Sequence, residues 1–119
     1  MSALSRSSHA VSSISRNARV QAIYREVNEG IALINAGWEI PALELLCECG
    51  LAGCSERVQL TVEEYERVRS NPTQFVLRPG HEDETVEQVV RCEGDHLVVQ
   101  NHGRAATIAE RSDPRAAGR

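Results

Sequence analysis

The sequence predicts an α+β fold: an N-terminal amphipathic helix and a small antiparallel sheet with one short helix, built round a metal site. Three observations lead to this prediction. Apolar residues recur at helical spacing near the N-terminus, short apolar and alternating runs fill the second half, and three of the four cysteines fall within residues 47–54. A chain of 119 residues accommodates one domain at most.

The first predicted helix covers residues 16–36. Its apolar positions step by three and four residues, which places them in one stripe along the helix. These positions are Val20, Ile23, Tyr24, Val27, Ile31 and Ile34. Gly37 ends the helix, since glycine readily adopts the left-handed conformation found just past a helix C-terminus. A stripe of this kind predicts a face that packs into a core or forms a dimer.

Short strand signals surround a second, shorter helix. Thr61 and Glu64 have the spacing of a capping box, which starts this helix, and Pro72 ends it. The last two strands are joined by a turn that contains Gly94, which predicts a hairpin. The predicted strands cover residues 42–46, 57–60, 73–77, 85–92 and 96–100.

Three cysteines, Cys47, Cys49 and Cys54, have the spacing C-x-C-x4-C. Residues i and i+2 of an extended segment project to the same side, so the first two sulfurs can face one point. Gly50 and Gly53 let the chain turn tightly and bring the third sulfur back. Thiolates are preferred zinc ligands, and structural zinc takes four ligands. The cluster therefore predicts a zinc site whose fourth ligand lies elsewhere in the chain.

Disulfides and free thiols are the alternatives to a metal. A bridge between Cys47 and Cys49 would be strained, because a disulfide needs a narrow range of Cα separations. Residues 1–17 lack the continuous apolar segment of an export signal. We therefore expect a reducing, cytoplasmic location, which favours a metal over disulfides.

The fourth ligand has five candidates in the sequence. They are Cys92, His9, His81, His96 and His102. His81 follows a Pro-Gly turn, which can present a side chain away from the preceding strand. Cys92 lies at the end of a predicted strand, where a single cysteine is commonly a small buried apolar residue.

The charge distribution argues against several classes of function. Residues 26–102 carry 15 acidic residues against five arginines, whereas residues 1–25 carry four arginines and no acid. An acidic body with few aromatic residues argues against nucleic-acid binding. No apolar run approaches the ~18 residues that span a bilayer. No serine has a spaced His/Asp pair, and there is no Gly-rich phosphate loop, which argues against catalysis.

The segment from Cys47 to Gln100 contains four motifs: a C-E-C-x4-C-x-E-R core, an L-T-x-x-E-Y-E-x-V-R helix, a P-G-H-E turn and a closing V-V hairpin. With these motifs the segment resembles a family of short, uncharacterised actinobacterial proteins. The preceding helix, which contains R-E-V-N-E, extends the match to residues 19–100. The resemblance implies no particular activity. It implies that His81, in the P-G-H-E turn, belongs with the cysteines, and it implies no fixed residue type at the position of Cys92.

These observations give one predicted site and three predicted regions. The predicted zinc ligands are Cys47, Cys49, Cys54 and His81. Residues 1–15 are Ser-rich and poor in apolar residues, which predicts a disordered N-terminal tail. Residues 16–102 are expected to form a single zinc-binding α+β domain, and residues 103–119 a flexible C-terminal tail.

The function expected from these features is a small zinc-stabilised interaction or regulatory module in the cytoplasm, without catalytic activity. We expect it to bind a protein partner or a second copy of itself through the N-terminal helix, and to bind neither nucleic acid nor membrane. The alternative is a zinc-thiolate redox switch that releases a partner on oxidation. A zinc hydrolase with Glu82 as its base would need one cysteine outside the site and an open pocket.

Overall fold

Three helices and two small antiparallel sheets form the part of the chain that the computed structural model describes, residues 2–116, with side chains from Ser13 onward. In chain order the elements are α1 (Ser2–Ile34), β1 (Leu43–Leu46), β2 (Arg57–Leu60), α2 (Val62–Arg69), β3 (Gln74–Leu77), β4 (Glu87–Glu93), β5 (His96–Asn101) and α3 (Gly103–Arg111). The predicted α+β fold is confirmed, although the strands form two sheets rather than one. None of the helices in these residues carries an apolar stretch long enough to cross a bilayer.

The first sheet pairs β1 with β2 in antiparallel fashion and places Leu45 opposite Val58. Both strands pack their inward side chains against α2. The buried residues of this core are Leu43, Leu45, Val58, Leu60, Tyr65, Val68, Val76 and Val98.

The predicted capping box at the start of α2 is confirmed. Glu64 N donates to Thr61 Oγ1 at 3.0 Å, and Thr61 N donates to Glu64 Oε1 at 2.7 Å.

The second sheet has the order β3-β5-β4, with all pairs antiparallel. Its central strand pairs Val99 with Phe75 on one side and with Val89 on the other. The predicted β4–β5 hairpin is confirmed, and Gly94 lies in its turn at a φ of +56°. This sheet packs against the first two cysteines. Cys47 and Cys49 share one buried cluster with the sheet residues Phe75, Leu77, Leu97 and Val99.

The buried face of α1 is mainly polar. The stripe was predicted to be a core face or a dimer face, and the core alternative is wrong for most of it, although Ile31 packs against the first core. Gln21, Arg25 and Asn28 are fully buried, whereas Ile23 is 59% exposed and Ile34 is 76% exposed. The reason is that α1 lies over backbone groups that lack partners in a sheet or helix. Arg25 alone donates to the carbonyl oxygens of Pro72 at 2.6 Å and of Ala109 at 2.8 Å. Polar side chains satisfy such groups, and apolar ones do not.

The first helix also begins earlier than the sequence predicted, at Ser2 rather than near residue 16. Residues 2–29 contain neither glycine nor proline, so no residue in this stretch breaks a helix. The structure thus has helical backbone where a disordered tail was predicted. Met1 lies outside the described residues.

The segment after residue 102 is folded, which corrects the prediction of a flexible C-terminal tail over residues 103–119. It forms α3, and Ala105 joins a buried cluster with Ala18 of α1 and Val86. Beyond α3, the buried Asp113 accepts a hydrogen bond from Arg69 of α2. The sequence analysis missed this helix because its buried contacts are made by alanines, in a stretch that reads as a polar tail. Residues 117–119 lie outside the described residues.

Candidate metal centre

The structure brings together the four side chains that the sequence analysis predicted as zinc ligands. One ligand atom from each of Cys47, Cys49, Cys54 and His81 lies within 4.8 Å of all the others. The Nδ1 atom of His81 is 3.5 Å from the sulfur of Cys47 and 3.6 Å from that of Cys54. All four cysteines of the chain are free. The cluster can therefore hold a metal ion with three thiolates and one imidazole.

The other candidates for the fourth ligand lie elsewhere. Cys92 is exposed on β4 and is not a member of the cluster. His96 belongs to a different group of side chains, with Glu64 and Glu93. His102 is exposed at the start of α3. The side chain of His9 lies outside the described residues.

The first two sulfurs are placed by the end of β1. Cys47 N donates to Glu56 O at 3.0 Å, which extends the β1–β2 pairing by one residue past the end of β1. The next residue, Glu48, donates its N–H to Val76 O of β3. Arg78 N, just after β3, donates to the sulfur of Cys47 at 3.3 Å. Backbone N–H donors of this kind stabilise a thiolate. The cluster is thus held between the ends of both sheets.

The third sulfur returns through a tight turn that uses two glycines. Cys54 N donates to Leu51 O at 3.1 Å, and Gly53 has a φ of +87°. At Gly50 a Cβ atom would lie 2.8 Å from the Cβ of Asn17 on α1, so glycine is required for close approach to that helix. Gly53 N donates to the hydroxyl of Tyr24 at 3.1 Å. Residues 50–54, the cysteine loop, are therefore fastened to α1.

His81 is presented by the turn after β3, as the sequence predicted. Its backbone N donates to Arg78 O at 3.1 Å, and Gly80 has a φ of +92°. The carboxylate of Glu82 accepts a hydrogen bond from Gly80 N at 2.8 Å, which closes the turn. An open cavity of about 430 Å³ borders this turn; among its lining residues are Asn17, Leu51, His81, Glu82 and Thr85.

The thiols of the cluster influence one another's ionisation. A hydrogen bond from Cys47 lowers the pKa of the Cys49 thiol, and the same contact, together with burial, raises the pKa of Cys47. Burial raises the pKa of the half-buried Cys54. One thiol of the Cys47–Cys49 pair therefore ionises more readily when the other stays protonated and donates to it. The other two thiols need a cation nearby to ionise, and a bound metal supplies that charge.

Glu48, between the first two cysteines, points away from the sulfurs into the protein. Its carboxylate accepts hydrogen bonds from Asn28 Nδ2 at 2.8 Å and from Val76 N at 3.0 Å. Burial raises its pKa to about 7, and the hydrogen bonds and the charges of Arg69 and Arg25 oppose that rise. Glu48 thus joins the segment that carries Cys47 and Cys49 to α1 and β3. The sequence analysis missed this role, although the alternation that directs both cysteines to one side directs Glu48 to the other.

Comparison with known proteins does not add a relative. No protein-family model, no curated protein and no solved structure matches the chain. The resemblance to actinobacterial proteins described above remains a prediction. Inference about function therefore depends on the geometry and chemistry of the cluster.

Proposed function

We propose that Cys47, Cys49, Cys54 and His81 bind one Zn²⁺ ion that stabilises the fold, and that the protein is a non-catalytic interaction module. One observation carries the metal assignment. Zinc bonds of about 2.3 Å to sulfur and about 2.0–2.1 Å to nitrogen, in a tetrahedron, place sulfur and nitrogen about 3.6 Å apart. The distances from His81 Nδ1 to the sulfurs of Cys47 and Cys54 are 3.5 and 3.6 Å.

The ligand set supports a structural rather than a catalytic ion. Four protein side chains lie close together, and four is the number of ligands that a structural zinc takes. A catalytic zinc keeps one position for water or substrate. A hydrolase with Glu82 as its base would require one cysteine outside the cluster, and all three lie inside it.

Cobalt substitution tests this proposal directly. Co²⁺ in place of Zn²⁺ gives strong visible absorption when its ligands are tetrahedral and intense charge-transfer bands when they are thiolates. We expect a spectrum of three thiolates and one imidazole, and His81→Cys should convert it to that of four thiolates. A weak, octahedral spectrum in the full chain would contradict the proposal, as would a spectrum that His81→Cys leaves unchanged.

A second copy of the chain is the partner that the exposed face of α1 fits best. Val20, Ile23, Val27 and Ile34 repeat at steps of three, four and seven residues, as in the seam of a coiled coil. Ile23 and Ile34 are 59% and 76% exposed, so the part of the chain that the structure describes leaves these side chains uncovered. Arg19 and Glu26 are both exposed and flank the seam on the same side. In an antiparallel pair each arginine would face the glutamate of the other copy.

Sedimentation at several protein concentrations tests the self-association. The full chain should form a dimer, and Ile23→Asp combined with Val27→Asp should give a monomer that keeps its zinc. Val90→Asp, which places the same charge at an exposed apolar position on β4, serves as the matched control and should leave the dimer intact. A wild-type chain that stays monomeric at high concentration would refute the second copy as partner.

The alternative function is a redox switch. Peroxide would take two electrons from two thiolates, which join as a disulfide while the peroxide is reduced to water and zinc leaves. The structure favours the structural role, because Cys47 and Cys49 are 1% and 0% exposed and Cys54 is partly covered. We expect slow, irreversible zinc loss under mild peroxide. Fast release that a thiol reductant reverses would favour the switch.

A further inference from the structure

A second group of metal-ligand side chains lies where α2 meets the β4–β5 hairpin. Carboxylate oxygens of Glu64 and Glu93 and a ring nitrogen of His96 lie within 4.8 Å of one another. Glu64 is in the first turn of α2, and Glu93 and His96 form the cross-strand pair that closes the hairpin. The sequence analysis considered His96 only as a ligand of the cysteine site. The structure separates it from that site.

His96 provides an independent indication of a ligand. Its side chain is 3% exposed, and its Nδ1 atom is buried without a hydrogen-bond partner among the described residues. The nearest acid to Nδ1, Asp95, is 3.8 Å away, which is beyond hydrogen-bond distance. Buried polar atoms of this kind are normally satisfied, and an exception requires an explanation. A cation coordinated by Nδ1 would provide one.

The carboxylates of Glu64 and Glu93 can both still bind a cation, although each makes contacts within the chain. Glu64 uses Oε1 to accept the capping hydrogen bond from Thr61 N, and its other oxygen is outside that bond. Glu93 uses Oε1 to accept from Arg91 Nε at 2.9 Å, and Arg67 is 4.0 Å from the same oxygen. Both arginines are partly exposed, and surface ion pairs of this kind stabilise little. A divalent cation can displace them.

We propose that Glu64, Glu93 and His96 form a second, weaker site for a divalent transition-metal cation such as Zn²⁺. One imidazole and two carboxylates are ligands that zinc accepts, and solvent completes the coordination because both glutamates are partly exposed. The ion would fasten the hairpin to the first turn of α2. Since the site is shallow and has arginines nearby, it binds its cation less tightly than the cysteine cluster. It would respond to free metal after the cysteine cluster is filled.

Calorimetric titration with Zn²⁺ of the full chain, already loaded with one equivalent of zinc, tests the second site. We expect a second saturable binding event, accompanied by a change in the ¹⁵N shifts of the His96 imidazole. Glu93→Gln and Glu64→Gln should each weaken this event by about tenfold or more. The Glu64→Gln change preserves the capping box, because glutamine also serves at that position.

Glu63→Gln is the matched control, since Glu63 is exposed on the same turn of α2 but is not a member of the group. It should leave the second event unchanged. Absence of a second event would overturn the proposal. Equal weakening by all three substitutions would do the same, because it would indicate general attraction to an acidic surface. Neither result depends on whether the cysteine cluster is structural or redox-active.

Discussion

The cysteine cluster and the buried face of α1 are neighbours that meet at Glu48, yet each region is stabilised by a different kind of interaction. Three of the four cluster residues lie within eight positions of the sequence, and all four side chains are of types that can bind the same metal ion. The buried face of α1 instead makes polar contacts with distant parts of the chain. Gln21 donates to Glu87 at 2.6 Å across 66 positions, and Arg25 reaches Ala109 across 84.

The second region extends into a network of charges between α1, α2 and the C-terminal segment. Glu29 of α1 accepts hydrogen bonds from Arg69 at 2.5 Å and from Arg115 at 2.6 Å, and Arg69 also donates to Asp113. Arg69 is fully buried. The comparison separates two sources of stability. One is the proposed metal, which would crosslink the loops that carry its ligands, and the other is a polar network that fixes α1 against the C-terminal segment.

The largest effect is expected from removing a metal ligand. Cys49→Ser should abolish zinc binding and leave the chain largely unfolded, because the free energy of zinc binding in small domains, about 10–16 kcal/mol, is also folding free energy. Circular dichroism with a metal assay measures both. If the variant folded as stably as the wild type, the metal would not be a main source of stability.

The next largest effect is expected from the charge network. Arg69→Met should lower the free energy of unfolding by about 3–5 kcal/mol, because it leaves Asp113 and part of Glu29 buried without a cation. The folded variant should still bind one zinc, which separates the two sources of stability. Arg67→Met is the control, because Arg67 lies two residues earlier in α2 and is more than half exposed, and it should change stability by less than about 0.5 kcal/mol. Equal effects of the two substitutions would remove the distinction between the regions.

A smaller, pH-dependent effect is expected from Glu87, whose carboxylate faces α1. Burial raises its pKa from 4.5 in the unfolded reference to about 7 in the folded protein. The folded state then binds more protons than the unfolded state between these values, so its contribution to stability falls as the pH rises through that range. Relative to Glu87→Gln, the wild type should lose about 2 kcal/mol between about pH 5 and pH 7.

Urea unfolding of the two zinc-loaded proteins across that range measures the difference, and the comparison cancels protonation of the metal ligands. A constant difference between them would show that Glu87 does not titrate there. A difference of opposite sign would mean that the carboxylate is stabilised in its charged form by Gln21 and the Asp83 backbone N–H, the donors that contact it.

The smallest effect is expected at Cys92, the cysteine that the cluster leaves out. Cys92→Ser should retain one zinc and change the free energy of unfolding by less than about 0.5 kcal/mol, because its side chain is exposed. Thermal melts of Cys92→Ser and Cys49→Ser under the same conditions compare the two effects directly. A comparable loss of stability in both variants would indicate that all four cysteines bind the metal and that His81 is not a ligand.

Sequence analysis predicted the cluster and the β4–β5 hairpin because both depend on short-range signals. The C-x-C-x4-C spacing restricts three sulfurs to one place, and Gly94 marks the hairpin turn. It misjudged α1 because helical periodicity reports an apolar stripe and not which face is buried. Gln21 and Arg25 face inward owing to carbonyl and carboxylate groups that only the folded chain brings within reach. For the same reason α3, whose buried residues are alanines, was expected to be a tail.

The zinc content of the full chain tests the central claim most directly. Native mass spectrometry of protein purified under reducing conditions without added metal should give the mass of the chain plus one zinc ion. His81→Ala should lower the occupancy, and Cys92→Ser should not. A folded wild-type protein that carries no metal, and that takes up none when one equivalent of Zn²⁺ is added, would contradict the account.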